Sequence, residues 1–232
     1  MICKKITTAI ILSLFLLAGF TFAQTEKQEN FKKVESYLYK LAALGEHAIK
    51  SFAQKSGADW YVPSNAVYSI KITDDEKVDC YFWPQDITGL TIFVSKGLIL
   101  EAKNEAELIF VLLHELSHMM SKSDDEYDDE YIVRTEQGDI VLETAMDRIA
   151  VLMMAELGYR PSASMEFLER ALKGLRKPDL FRPESAIMTR ITITKNLATG
   201  LELYCYNKNF QYFILLNPKE FEVIKSLLKS GK

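Results

Sequence analysis

The stretch His114-Glu115-Leu116-Ser117-His118 constrains this chain more than any other. Four residues advance an α-helix by slightly more than one turn, so the two histidines project from one face and both imidazoles can reach a single metal ion. Glu115 follows the first histidine, which sets its carboxylate beside a water that the metal activates and not on the metal. The preceding Leu108 to Leu113 are apolar all round, which predicts a buried helix. In that setting two histidines and a glutamate carry a desolvation cost that a metal ion would offset. With three histidines in 232 residues, chance gives the pattern a probability of roughly 0.002. Zn²⁺ is the cofactor this spacing predicts.

A zinc site that does chemistry takes three protein ligands and keeps one position open. His47, the remaining histidine, is far upstream on another helix and receives no ligand role. Met119, Met120, Ser121, Lys122, Ser123 and Asp124 follow His118, so a third histidine in the HExxHxxGxxH register is excluded. A downstream carboxylate is the remaining choice. Glu143 and Asp147 fall at i and i+4 on a helix otherwise filled by Ile140, Val141, Leu142, Ile149, Val151 and Leu152. Glu143 as ligand, with Asp147 accepting from the outer ring nitrogen of a ligand histidine, fits the carboxylate, histidine, zinc arrangement. The plainer alternative pairs Asp147 with a nearby Arg148 or a lysine at the surface. Between His118 and Glu143 lies Asp124 to Glu130, six acids in seven positions. It reads as a solvated loop, because the glycine of a calcium-binding loop is missing.

Apolar residues make up 48% of the chain, enough for a core, and the net charge of -4 offers no basic field for a phosphate backbone. Nucleic acid is therefore not expected as a partner. Lys4 and Lys5, the apolar run Ala9 to Phe20 and Thr21-Phe22-Ala23 have the order of a cleaved signal peptide over residues 1–23. The run is shorter than the ~20 residues of a membrane-spanning helix, so no stable membrane span is expected after cleavage. Cys3 precedes the run, which disfavours lipid attachment. The expected location is exported, periplasmic or extracellular. There Cys80 and Cys205 could pair, although a buried thiol in each strand-like stretch is an equally ordinary reading.

Residues 24–232 are expected to form one domain, with a core over about 66–191 and an extension over 192–232. Periodicity predicts a helix from Glu26 to Ser56 and strands near Ala66 to Thr73, Lys77 to Trp83 and Leu90 to Ser95. Asn104 and Glu107 form a capping pair that opens the HExxH helix, which runs to about Met120. Further helices are expected from Asp139 to Leu157, closed by Gly158, and from Ser164 to Leu175. Alternation then predicts strands over Ile191 to Thr194, Leu201 to Cys205 and Tyr212 to Leu216, before a short helix after Pro218. The fold class is α+β: a small mixed sheet packed on a buried HExxH helix, further helices, and a C-terminal β-rich tail.

The run Leu90 to Ile99, then Asn104 to Leu108 with HELSH, then Glu143-Thr-Ala-Met-Asp147-Arg148 and Glu156-Leu-Gly-Tyr-Arg-Pro161 resembles the gluzincin endopeptidases of the HtpX and CAAX-prenyl-protease group, soluble branch. The resemblance implies a zincin-like fold and a zinc endopeptidase. His114, His118 and Glu143 would be its zinc ligands, Glu115 its general base and Asp147 a supporting carboxylate. Its substrate would be a peptide or unfolded protein lying along the sheet edge. The chain departs from the group in three places. Asp79-Cys80-Tyr81-Phe82 stands where an Asn-Ala-Phe sequence is common, and Arg182-Pro183 replaces a His-Pro element. Arg190 follows at a stretched spacing, which leaves the transition-state stabiliser unassigned. The rival from another class is a catalytically silent, zinc-containing binding or scaffold protein, for which a base at Glu115 would serve no purpose.

Overall fold

The computed structural model describes residues 24–48, 50–51, 67–84, 89–120, 136–173, 184–207 and 218–229. The expected signal segment, the acidic run, Arg182-Pro183 and the strand at Tyr212 to Leu216 lie outside them. Helix α1, residues 24–48, buries Val34, Tyr37, Leu38, Leu41 and Ala42 at helical spacing and leaves His47 exposed. It is followed by β1 (Val67–Thr73), β2 (Cys80–Pro84) and β3 (Gly89–Ser95). The order in the sheet is β1-β3-β2. β1 runs parallel to β3 with Ile70 opposite Ile92, and β2 antiparallel with Cys80 opposite Val94, giving the mixed sheet that was expected. Alternation puts Ile70, Ile72, Ile92 and Val94 on the buried face and Lys71 and Phe93 on the other.

β3 passes directly into the short helix α2 (Lys96–Glu101), with Ser95 as the cap. The Ser95 hydroxyl accepts from Leu98 N at 3.0 Å and from Asp79 N at 2.9 Å, and donates to Lys77 O at 2.6 Å. One side chain thus closes a helix end and ties down the segment entering β2. Gly97 is required in this knot. Its N–H donates to Asp75 O at 2.8 Å, and a Cβ would stand 2.2 Å from Glu76 O and 2.4 Å from Lys77 O. Those neighbours are backbone atoms, which cannot rotate away. Gly97→Ala is therefore expected to destabilise the fold by about 1–3 kcal/mol, read as a lowered urea midpoint with an unchanged slope.

Helix α3 (Glu105–Met120) opens at Asn104, whose Oδ1 accepts from Glu107 N at 3.0 Å. Glu107 reaches back to Lys103 N at 2.8 Å and is clasped by Arg170, so the cap is also a tertiary tie. Glu105 accepts from Tyr37 at 2.5 Å and from Tyr159 at 2.8 Å, joining α1 and a later turn to the start of α3. Residues 105–117 are all buried. α1 approaches α3 so closely at Gly45 that a Cβ there would lie 2.7 Å from Leu113 Cδ2.

Helices α4 (Glu136–Glu156), α5 (Ser162–Lys173), α6 (Glu184–Asn207) and α7 (Pro218–Lys229) complete the described chain. α4 ends at Gly158, whose φ of 81° accommodates the left-handed turn predicted for it. α3 packs on α4 and α4 on α6. α7 is fastened by Lys225 Nζ donating to Ala102 O at 2.7 Å. One hydrophobic cluster runs from Val34 to Leu228.

The α+β class agrees with this architecture, but the β-rich tail needs correction. Ile191 to Thr194 and Leu201 to Cys205 are helical, within α6. Ile191-Thr-Ile-Thr194 has β-branched residues and apparent alternation, yet Ile191, Thr194 and Ala198 are buried while Thr192 and Ile193 are exposed. That spacing is a helix face set by packing, and it overrides the local β propensity. Cys205 accordingly stands on a helix, and Cys80 in β2 is a free thiol.

Candidate metal centre

Two adjacent helices bring the sequence-predicted residues together. α3 supplies His114, Glu115 and His118, and α4 supplies Glu143 and Asp147. His114 Nε2 lies 3.1 Å from His118 Nε2 and 3.4 Å from Glu143 Oε2, and His118 Nε2 lies 3.3 Å from Glu143 Oε1. These three could hold a metal ion. Their spacing fits one. Tetrahedral zinc with bonds of about 2.0–2.1 Å requires donors about 3.3–3.4 Å apart. Two imidazole nitrogens facing each other with a carboxylate beside them form a donor set that a cation completes.

Asp147 is fully buried, and its Oδ1 lies 2.9 Å from His114 Nδ1. A carboxylate only accepts, so Nδ1 carries a proton and Nε2 is the ring nitrogen that faces the triangle. The surface pairing with Arg148 does not occur, because Asp147 is buried while Arg148 is exposed. The partner is Arg190 of α6. Its Nε and Nη2 donate to Asp147 Oδ2 and Oδ1 at 2.8 and 2.9 Å, and its Nη1 lies 2.8 Å from Glu143 Oε2. Arg190 thus spans both carboxylates. Sequence reasoning left it without a role; the available signal was a single arginine inside the run Ile187 to Thr194, and its register became legible only once that run was helical.

Burial acts on every charge here, with different outcomes. For His114 it opposes the charged form, but the carboxylates of Asp147 and Glu143 outweigh it and push the imidazole up to about 9. Metal binding must therefore displace a proton, and affinity should rise with pH. Burial would raise Glu143 and Asp147, yet hydrogen bonds from the histidines and Arg190 hold both below the usual carboxylate range. Glu115 is different. Burial, only partly opposed by His114, raises it to about 7, and no described side chain is hydrogen-bonded to its carboxylate. A buried carboxylate without a hydrogen-bond partner among the described residues, next to a donor triangle, is poised to exchange a proton near neutrality.

This shift has a consequence for stability. In the metal-free chain the folded state holds the Glu115 proton to about pH 7, whereas the unfolded chain releases it near 4.5. Stability is complete below 4.5 and is lost as pH rises toward 7. Glu115→Gln removes this loss. The metal-free variant is expected to exceed the parent by up to about 3 kcal/mol above pH 8 and to match it in acid. Denaturant titrations of both proteins at the two pH values check this.

Residues 40–126 match the model of peptidase family M48. The matched stretch includes His114, Glu115 and His118, ends before Glu143, and is less than half of the chain. Among curated proteins none matches the chain. The class defined by fold and site is an α+β protein able to hold a metal ion between two histidines and a glutamate. The family match supports a metallopeptidase of family M48. No described helix is long and apolar enough to cross a membrane.

Proposed function

We propose that this chain is an exported zinc endopeptidase with a zincin-like core, of the HtpX and CAAX-prenyl-protease group in its soluble branch. The observation that carries the reading is the near-equilateral triangle of His114, His118 and Glu143 beside the buried carboxylate of Glu115. These three residues would hold Zn²⁺. When bound, the ion would supply Lewis acidity toward water and the scissile carbonyl.

The rest falls to the chain's own groups. Glu115 takes a proton from the water as its oxygen bonds to the carbonyl carbon. It then delivers that proton to the nitrogen as the C–N bond breaks, leaving a carboxylic acid and an amine; the acid's remaining proton passes to the amine, giving carboxylate and ammonium. Asp147 fixes the tautomer and orientation of His114. Arg190 holds Glu143 and Asp147 in one arrangement and keeps both ionised. The substrate is a peptide or unfolded protein, extended along the edge of β2. Export is supported by Lys4, Lys5 and the apolar run to Phe20. The silent-scaffold alternative leaves the proton-exchanging Glu115 without use.

Elemental analysis of the mature protein should give about one zinc per chain, and a broad peptide library should be cleaved. Glu143→Ala should lose the metal, whereas Glu126→Gln and Glu130→Gln in the acidic run should keep it. Loss of zinc from the acidic-run variants instead would show that the third ligand lies there.

A further inference from the structure

Among the described residues β2 is an edge strand: it pairs only with β3, and it lies against α3. Its register decides which groups are free. Asp79 O accepts from Ser95 N at 3.0 Å, so Asp79 and Tyr81 direct their backbone groups at β3, while Cys80 and Phe82 direct theirs at the open edge. Side chains alternate in the same rhythm. Cys80 packs against the core, and Asp79 and Tyr81, two residues apart, share the outer face.

That outer face has a definite chemistry. Tyr81 is 42% exposed and stacks on Phe93, with ring centroids 5.2 Å apart and planes at 17°. This contact holds the tyrosine ring in place. Asp79 is exposed, and no described side chain pairs with its carboxylate. We infer that Asp79 and Tyr81 form a selector for a lysine or arginine side chain of an extended peptide added to the edge of β2.

The inference rests on the peptidase reading and specifies the substrate class of that same site. A peptide strand bonding to the backbone of Cys80 and Phe82 places its residues opposite Asp79 and Tyr81 in non-hydrogen-bonded pairs. Their Cα atoms then lie about 4.5 Å away with side chains on the outer face. A cation there meets the carboxylate directly and the tyrosine ring diagonally, within cation–π range. Lys71 shares the face but lies two strands away, about 9.5 Å from β2 and further from the added strand. Lys77, also exposed, lies two residues before Asp79, further from the paired strand. Asp79 leads into β2, which lies against α3, the helix that carries the candidate base Glu115.

The test uses the zinc-loaded mature chain and a set of fluorogenic peptides identical except for Lys, Gln or Glu at each position near the scissile bond. Lys should be preferred over Glu by about 10-fold in KM at two positions separated by one, and the preference should shrink in about 0.5 M salt. Asp79→Lys should invert the order, which a folding defect cannot do, and Asp79→Asn should level it. The same ranking in the parent and in Asp79→Lys would overturn the inference while leaving the peptidase reading intact. Cleavage of no peptide by the parent would overturn both.

Discussion

Glu115→Gln should lower peptide hydrolysis by about 10²- to 10⁴-fold, the range in which a positioned general base contributes, while the protein still binds one zinc. Glutamine has nearly the same shape and cannot take a proton. Glu115 is not one of the three donors His114, His118 and Glu143, so its replacement leaves the triangle in place. Among the described residues its carboxylate has no hydrogen bond that the amide would break, and burial disfavours the carboxylate it replaces. The variant should therefore fold at least as well as the parent. Zinc content and single-turnover cleavage on the same preparation separate the two effects. Full hydrolysis by Glu115→Gln would remove the proposed mechanism, and loss of zinc would show that Glu115 helps to hold the metal.

The legible and illegible parts of the molecule divide by the range of the forces involved. HExxH on an apolar helix, the Asn104 and Glu107 cap, and Gly158 at a helix end are local devices whose residue types carry their own geometry, and each falls at its expected place. The pair Glu143 and Asp147 was readable because two acids at i and i+4 on an apolar helix demand partners. Which partners they have was not readable. Arg190 lies 43 positions from Asp147, and nothing in either segment announces the pairing. The same tertiary contact bears on the tail. With α6 packed on α4 and α5, Ile191, Thr194 and Ala198 form the buried face, whatever the β-branched run Ile191 to Thr194 prefers in isolation. Ser95 was equally hidden. Its hydroxyl bonds Asp79, Lys77 and Leu98, and the two upstream partners become neighbours only when β2 and β3 pair.

The Asp147 variants test the part of the site that the sequence half revealed. Asp147 accepts from His114 Nδ1 and, side-on, from Arg190 Nε and Nη2, so one carboxylate orients a candidate ligand and neutralises a buried cation. Asp147→Asn keeps one acceptor oxygen, but its amide then meets a guanidinium that has only donors. With its second carboxylate gone, Arg190 is left to Glu143, whose Oε2 also faces His114 Nε2. Metal affinity or turnover should fall by about 10- to 100-fold in Asp147→Asn, and further in Asp147→Ala. Both should also lose stability, by about 3–5 kcal/mol for the alanine, because the Arg190 side chain is only 13% exposed and its charge would be left half-paired. Adding Arg190→Gln should recover much of that stability and none of the turnover, since it relieves the stranded charge without restoring an orienter for His114. Zinc titration, peptide cleavage and urea unfolding on the three proteins decide the matter: unchanged affinity and turnover in Asp147→Ala would reduce Asp147 to a structural ion-pair residue.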